Sequence, residues 1–128
     1  MSTLTNLDMA ETVASIKSAR DLGYALADFV DRFNREPDIE LVAQEPPLLA
    51  FVLQDGGLAD AYLAASAAWL CRQHRLNVPK WAEGGSRALI EPWYAAKTAN
   101  LRKLLADESP LEFRCRNIFV SANALSRV

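Results

Sequence analysis

The chain has 128 residues, 51% of them hydrophobic and 23% charged, with a net charge of −2. This balance excludes a disordered polar chain, and no apolar run approaches the roughly 20 residues of a membrane-spanning helix. It fits a single domain, 1–128, with a real core.

The opening stretch MSTLTNLDMAET lacks a basic region followed by an apolar run and a small-residue cleavage site. The expectation is therefore a cytoplasmic protein without a secretory signal. Thr5 or Asn6 is placed to cap a first short helix from about Asp8, with Asp8 and Glu11 in its opening turn and Met9, Val13 and Ile16 on its apolar face. Near Ser18 this helix continues or a longer one begins, and Leu22, Leu26, Phe29, Val30 and Phe33 form its inward stripe. Asp21, Asp28 and Asp31, with Arg20, Arg32 and Arg35, fall on the outward side, where a solvated ion-paired face is expected rather than a tuned carboxylate pair.

Pro37, Pro46 and Pro47 bracket a connection with a short helical turn at Ile39–Val42. Leu48–Leu53 is too short for periodicity to decide between buried strand and helix, and helix is the preferred reading. Asp55-Gly56-Gly57 then breaks the chain ahead of its most strongly patterned stretch, a central helix near 58–76. Leu58, Tyr62, Ala65, Trp69 and Leu76 share one face, Leu63, Ala67 and Leu70 the next, and the many alanines let neighbouring helices approach closely. Asn77 before Val78-Pro79 supplies a stop.

A turn follows at Gly84-Gly85-Ser86, without the spacing of a phosphate loop. Leu89–Tyr94 is rich in large apolar side chains and is expected to pack back on the central helix. Thr98–Ala106 reads as a helix with Leu101, Leu104 and Leu105 inward. Ser109-Pro110-Leu111-Glu112 reads as a capping box with proline at the first helical position. Asn117–Val120 looks extended, and Ser121 starts a last turn through Leu125. The fold class is thus all-α: a compact helical bundle of about six or seven helices around the central one.

The charge is unevenly spread. Residues 1–58 carry 4 basic and 10 acidic side chains, residues 59–128 carry 10 and 6. The two parts are expected to attract each other, or the basic part to face an acidic partner. Cys71 and Cys115 have no C-x-x-C spacing and are read as buried free thiols. His74 stands alone, and no G-x-S-x-G elbow is present. No catalytic, cofactor-binding or metal-ligating residue is therefore assigned, and the expectation is a protein that is not an enzyme.

From Glu45-Pro46-Pro47-Leu48 through Trp69, Val78-Pro79-Lys80-Trp81 and Pro92-Trp93, and above all over SPLEFRCRNIFV at Ser109–Val120, the sequence resembles a helical domain of bacterial, notably actinobacterial, proteins. There it lies C-terminal to a helix-turn-helix unit, in regulators similar to antitoxin partners of nucleotidyltransferase-like proteins. The likeness covers about residues 45–125. It implies a protein-interaction role in a two-gene system and no catalytic residue. Residues 1–44 depart from the pattern, showing no recognition helix and an acidic balance unsuited to phosphate.

Candidate partner-binding residues are Arg114, Arg116, Trp93 and Arg87. In an extended segment Arg114 and Arg116 project to one side. They either hold the C-terminal arm against the acidic first half or bind an acidic protein or a phosphate backbone. The alternative is a nucleic-acid-binding regulator that uses the basic second half. An enzyme would require a pocket that gathers Asp28, Asp31, His74 or Arg114.

Overall fold

A computed structural model describes residues 7–125; the Thr5 and Asn6 caps expected above lie outside them. The described chain forms seven α-helices and one two-stranded ladder. The order is α1 (Met9–Val13), α2 (Ala19–Arg35), α3 (Glu40–Ala43), α4 (Ala50–Leu53), α5 (Leu58–Gln73), β1 (Trp93–Tyr94), α6 (Ala99–Glu108), α7 (Leu111–Arg114) and β2 (Ile118–Phe119). No helix among the described residues is long and apolar enough to cross a membrane.

Helix α1 is capped by Asp8, whose carboxylate accepts the Glu11 N–H at 2.7 Å, while the Glu11 side chain accepts the Asp8 N–H at 3.0 Å. This reciprocal pair satisfies two donors that a helix start leaves open. Ser18 caps α2 by accepting the Asp21 N–H, so the two helices are separate. The five inward residues expected on α2 are its buried set. Arg32, expected on a solvated face, instead reaches back. It pairs with Asp28 at 2.9 Å and donates to the Leu7 carbonyl at 2.7 Å and the Thr12 hydroxyl at 3.2 Å, tying α1 to α2.

Helix α5 is the internal post of the domain. Eleven of its 16 residues are buried, on every side rather than along one stripe. Its small side chains make this possible, because alanines at 59, 61, 64, 65, 67 and 68 leave room for α2, α4, α7 and the segment 80–87 to press against it. Asp55 starts it by accepting the N–H groups of Gly57 and Ala59 at 2.9 and 2.8 Å. Gly57 has φ +94°, which a side chain would strain. The helix ends at Gln73, earlier than the proline stop suggested. Arg75 turns left-handed (φ +59°), and the Leu76 N–H returns to the Cys71 carbonyl at 2.7 Å. This is a Schellman closure with arginine where glycine is usual.

Beyond α5, Trp93↔Ile118 and Tyr94↔Phe119 pair in parallel, and the rings of Tyr94 and Phe119 stack with centroids 4.7 Å apart. Leu89–Tyr94 therefore does not simply fold back on α5: its end joins β2, while Ile90 stands in solvent. Two other expectations are corrected. Ser109 does not cap α7, whose N-cap is Pro110. Its buried hydroxyl donates to the Leu105 carbonyl at 2.6 Å and accepts the Val120 N–H at 2.8 Å, so it joins the end of α6 to the strand that follows. Cys71 is a buried thiol as expected, but Cys115 is exposed.

Candidate partner-binding site

The four residues singled out from the sequence have different fates. Arg87 is 1% exposed. Its guanidinium donates to Glu45 Oε2 at 3.0 Å, to the Pro46 carbonyl, and to the Asp60 carbonyl at 3.3 Å, and it lies over the Trp81 ring at 5.0 Å. Asp60, also buried, has Oδ1 3.8 Å from Arg87 Nη1. Asp60 spends its two oxygens on the N–H groups of Leu49 and Ala50 at 2.6 and 3.2 Å, which starts α4. Trp81 in turn donates its indole N–H to the Val42 carbonyl at 2.7 Å. Arg87 is thus a brace for the loop between α3 and α4, and no surface is left for a partner to grip.

Arg116 is similarly buried, donating to the Ala82 carbonyl at 2.9 Å and the Glu112 carbonyl at 2.6 Å. These are backbone acceptors of the second half, so it does not clamp the acidic first half as one reading held. Among the described residues, Arg87–Glu45 is an ion pair that does join the halves. Arg114 is exposed on α7. The acid–base groups that an enzyme reading would gather are employed elsewhere: Asp28 pairs with Arg32, and His74 Nε2 lies 2.8 Å from Asn34 Oδ1 with its ring against Phe33.

Trp93 is the candidate that the structure places at a concave surface. Two hollows meet there, sharing Asp55, Leu58 and Trp93. The first, of about 370 Å³, runs between α2 and α5; Leu22, Leu26 and Val30 wall it on one side and Leu58 and Tyr62 on the other, with Leu125 at the margin. Burial pushes the Tyr62 phenol above its ordinary value, so the hydroxyl stays protonated and able to donate. The second, of about 620 Å³, continues from Trp93 between α4 and the segment 85–92. The ionisable side chains lining the pair are Asp55, Asp60, Glu91 and Tyr62, so the combined groove is apolar with an anionic margin.

Beside the second hollow stand side chains that the sequence reading did not select. Phe51 is 92% and Ile90 97% exposed; Leu48 and Val52, close to Phe51 in sequence, are about half exposed, and Leu48 and Ile90 line the hollow. A signal was available: a four-residue helix has one inward side, and Leu48–Leu53 offers five large apolar residues to fill it. Some had to face water. Isolated exposed apolar residues are ordinary, and it is their number here that sets this stretch apart.

No family model, curated protein or solved structure matches this chain.

Proposed function

We propose that this protein is a non-catalytic protein-interaction module, a regulatory or antitoxin-like component of a bacterial two-gene system. Its partner docks on the surface formed by Phe51, Val52, Leu48 and Ile90 at the groove. The observation that carries this reading is the near-complete exposure of Phe51 and Ile90. Full burial of side chains of this size stabilises a complex by about 1.5–3 kcal/mol each, and aromatic anchors commonly dominate interface energies. Asp60 and Arg87 support the presentation of Phe51, because they fix the start of α4. The resemblance over residues 45–125 supports the two-gene setting.

The test is co-expression with the product of the adjacent gene, followed by size-exclusion chromatography of the purified pair. A stoichiometric complex is expected. The double substitution Phe51→Asp, Ile90→Asp should weaken it by about a hundredfold or more with the circular dichroism spectrum unchanged. A complex indifferent to both substitutions sinks the assignment. Duplex DNA is the weaker occupant, since Arg87 and Arg116 spend their guanidinium groups inside the fold. Strong, steeply salt-dependent retention of DNA would reverse that preference.

A further inference from the structure

We propose that the hollow between α2 and α5 receives helix α6 from a second copy of this chain, so that the protein self-associates through reciprocal helix-in-groove contacts.

The first observation is an uncovered helix face. Leu101 and Leu104 lie at i and i+3 on α6 and were expected to point inward, yet they are 51% and 53% exposed, and no residue of α6 is buried. An apolar stripe at helical spacing with nothing over it is a surface that gains from cover. The second observation is fit. The α2 wall of the hollow runs from Ala19 to Val30, about 17 Å at 1.5 Å per residue, and the ten residues of α6 span about 15 Å. Ala19, Gly23 and Ala27 keep that wall low; a Cβ built at Gly23 meets nothing within 4 Å.

The third observation is charge. Asp55 lines the hollow and Glu91 the one that adjoins it, whereas the lead-in and first half of α6 carry Lys97 and Lys103. The helix start adds its own partial positive charge to that side. The acidic terminal residue Glu108 is already engaged, accepting the Ala122 N–H at 3.1 Å. Finally, both surfaces adjoin β1. Trp93 of β1 lines the hollow, while the next residue, Tyr94, lies beneath the Arg102 guanidinium at 5.3 Å. A two-fold axis passing beside β1 would seat each α6 in the other copy's hollow, closing the assembly as a dimer.

This goes beyond the partner-binding reading and uses different side chains, so the two are scored separately. Sedimentation velocity of the full chain, over about two decades of concentration up to roughly 0.2 mM, should show monomer passing to dimer. Gly23→Leu fills the hollow while favouring the helix, and Leu104→Asp alters an already exposed position. Each should weaken the dimer by about thirtyfold or more. Mixing the two variants should recover part of the association, because one of the two reciprocal contacts then joins an intact hollow to an intact α6. Leu101→Asp serves as a second α6 lesion should Leu104→Asp disturb the circular dichroism spectrum. Phe51→Asp, Ile90→Asp should leave the dimer intact. A wild-type chain that stays monomeric throughout, whether its hollow stays open or takes a foreign peptide, overturns the proposal. So does a dimer that survives both Gly23→Leu and Leu104→Asp.

Discussion

Replacing Arg87 by methionine keeps much of the side-chain stem and removes the guanidinium. The Pro46 and Asp60 carbonyls lose their donor, and the buried Asp60 carboxylate loses the nearest cation, at 3.8 Å, while keeping its two backbone donors. Removing one member of a buried ion pair costs about 3–5 kcal/mol. The Glu45 portion contributes little, since that side chain is half in water, and exposed pairs are worth about 0–1 kcal/mol. Arg87→Met should therefore destabilise by about 3–4 kcal/mol, a fall in Tm of roughly 10–15 °C for a domain of this size. Glu45→Gln should cost less than about 1 kcal/mol. Combining Arg87→Met with Asp60→Asn should reveal a coupling of about 1–3 kcal/mol. Urea unfolding followed by tryptophan fluorescence reads wild type and every variant, the Asp60→Asn single included, with Trp81 as a reporter against the guanidinium. An Arg87→Met protein within about 1 kcal/mol of wild type, or a Glu45→Gln protein equally damaged, would refute the brace.

Four further outcomes are expected. The Ser66 hydroxyl is buried in α5 with no hydrogen-bond partner among the described residues, so Ser66→Ala should stabilise by about 1 kcal/mol by deleting a desolvated group and improving helix propensity; an unchanged or lower urea midpoint contradicts this. Arg75→Gly should stabilise by about 0.5–1 kcal/mol, relieving the left-handed arginine in the Schellman closure, and calorimetry would show a raised Tm. Burial pushes the Cys71 thiol up from 9.0 to about 11. A pKa raised on folding gives stability that is complete below the unfolded value and lost as pH rises through the folded one. Denaturant midpoints should accordingly decline between about pH 9 and about pH 11, Tyr62 adding in the same direction, and Cys71→Ala should flatten the decline. In native protein at neutral pH, thiol reagents should label the exposed Cys115 and reach Cys71 only in denaturant.

Helix-forming segments with a long, clean period were legible in the sequence. The stripe Leu22, Leu26, Phe29, Val30 and Phe33 is the buried face of α2, and the alanine-rich stretch from Leu58 is the central helix. What periodicity does not encode is whether the chain supplies a cover. The leucines of α6 have the same spacing as those of a core helix, yet Leu101 and Leu104 stay half exposed among the described residues. Local signals also lose to tertiary competitors. Ser109 has the sequence context of an N-cap, but its hydroxyl is taken by Leu105 and the strand residue Val120, eleven positions away. The roles of Arg87 and Arg116 were hidden for a related reason. Their partners at Glu45, Pro46 and Ala82 lie tens of residues distant, and a cation meant for burial looks like any other until the fold closes around it. Trp93 could be singled out in the sequence as a large aromatic in a connector, whereas the two hollows it joins exist only once β1 pairs with β2.

The cap of α4 comes from Asp60, a residue ten positions further along the chain on another helix. Four residues cannot sustain a helix alone in water, where nucleation is unfavourable. This turn must therefore be a late event in folding, assembled only after the rod it borrows its cap from has docked, and mutations within Ala50–Leu53 should show φ-values near zero. Its amides should exchange with deuterium through local opening well before those of the central rod. Phe51 is then shown to the outside only by molecules whose interior is already complete, so a partner that gripped that ring would select finished chains over half-made ones.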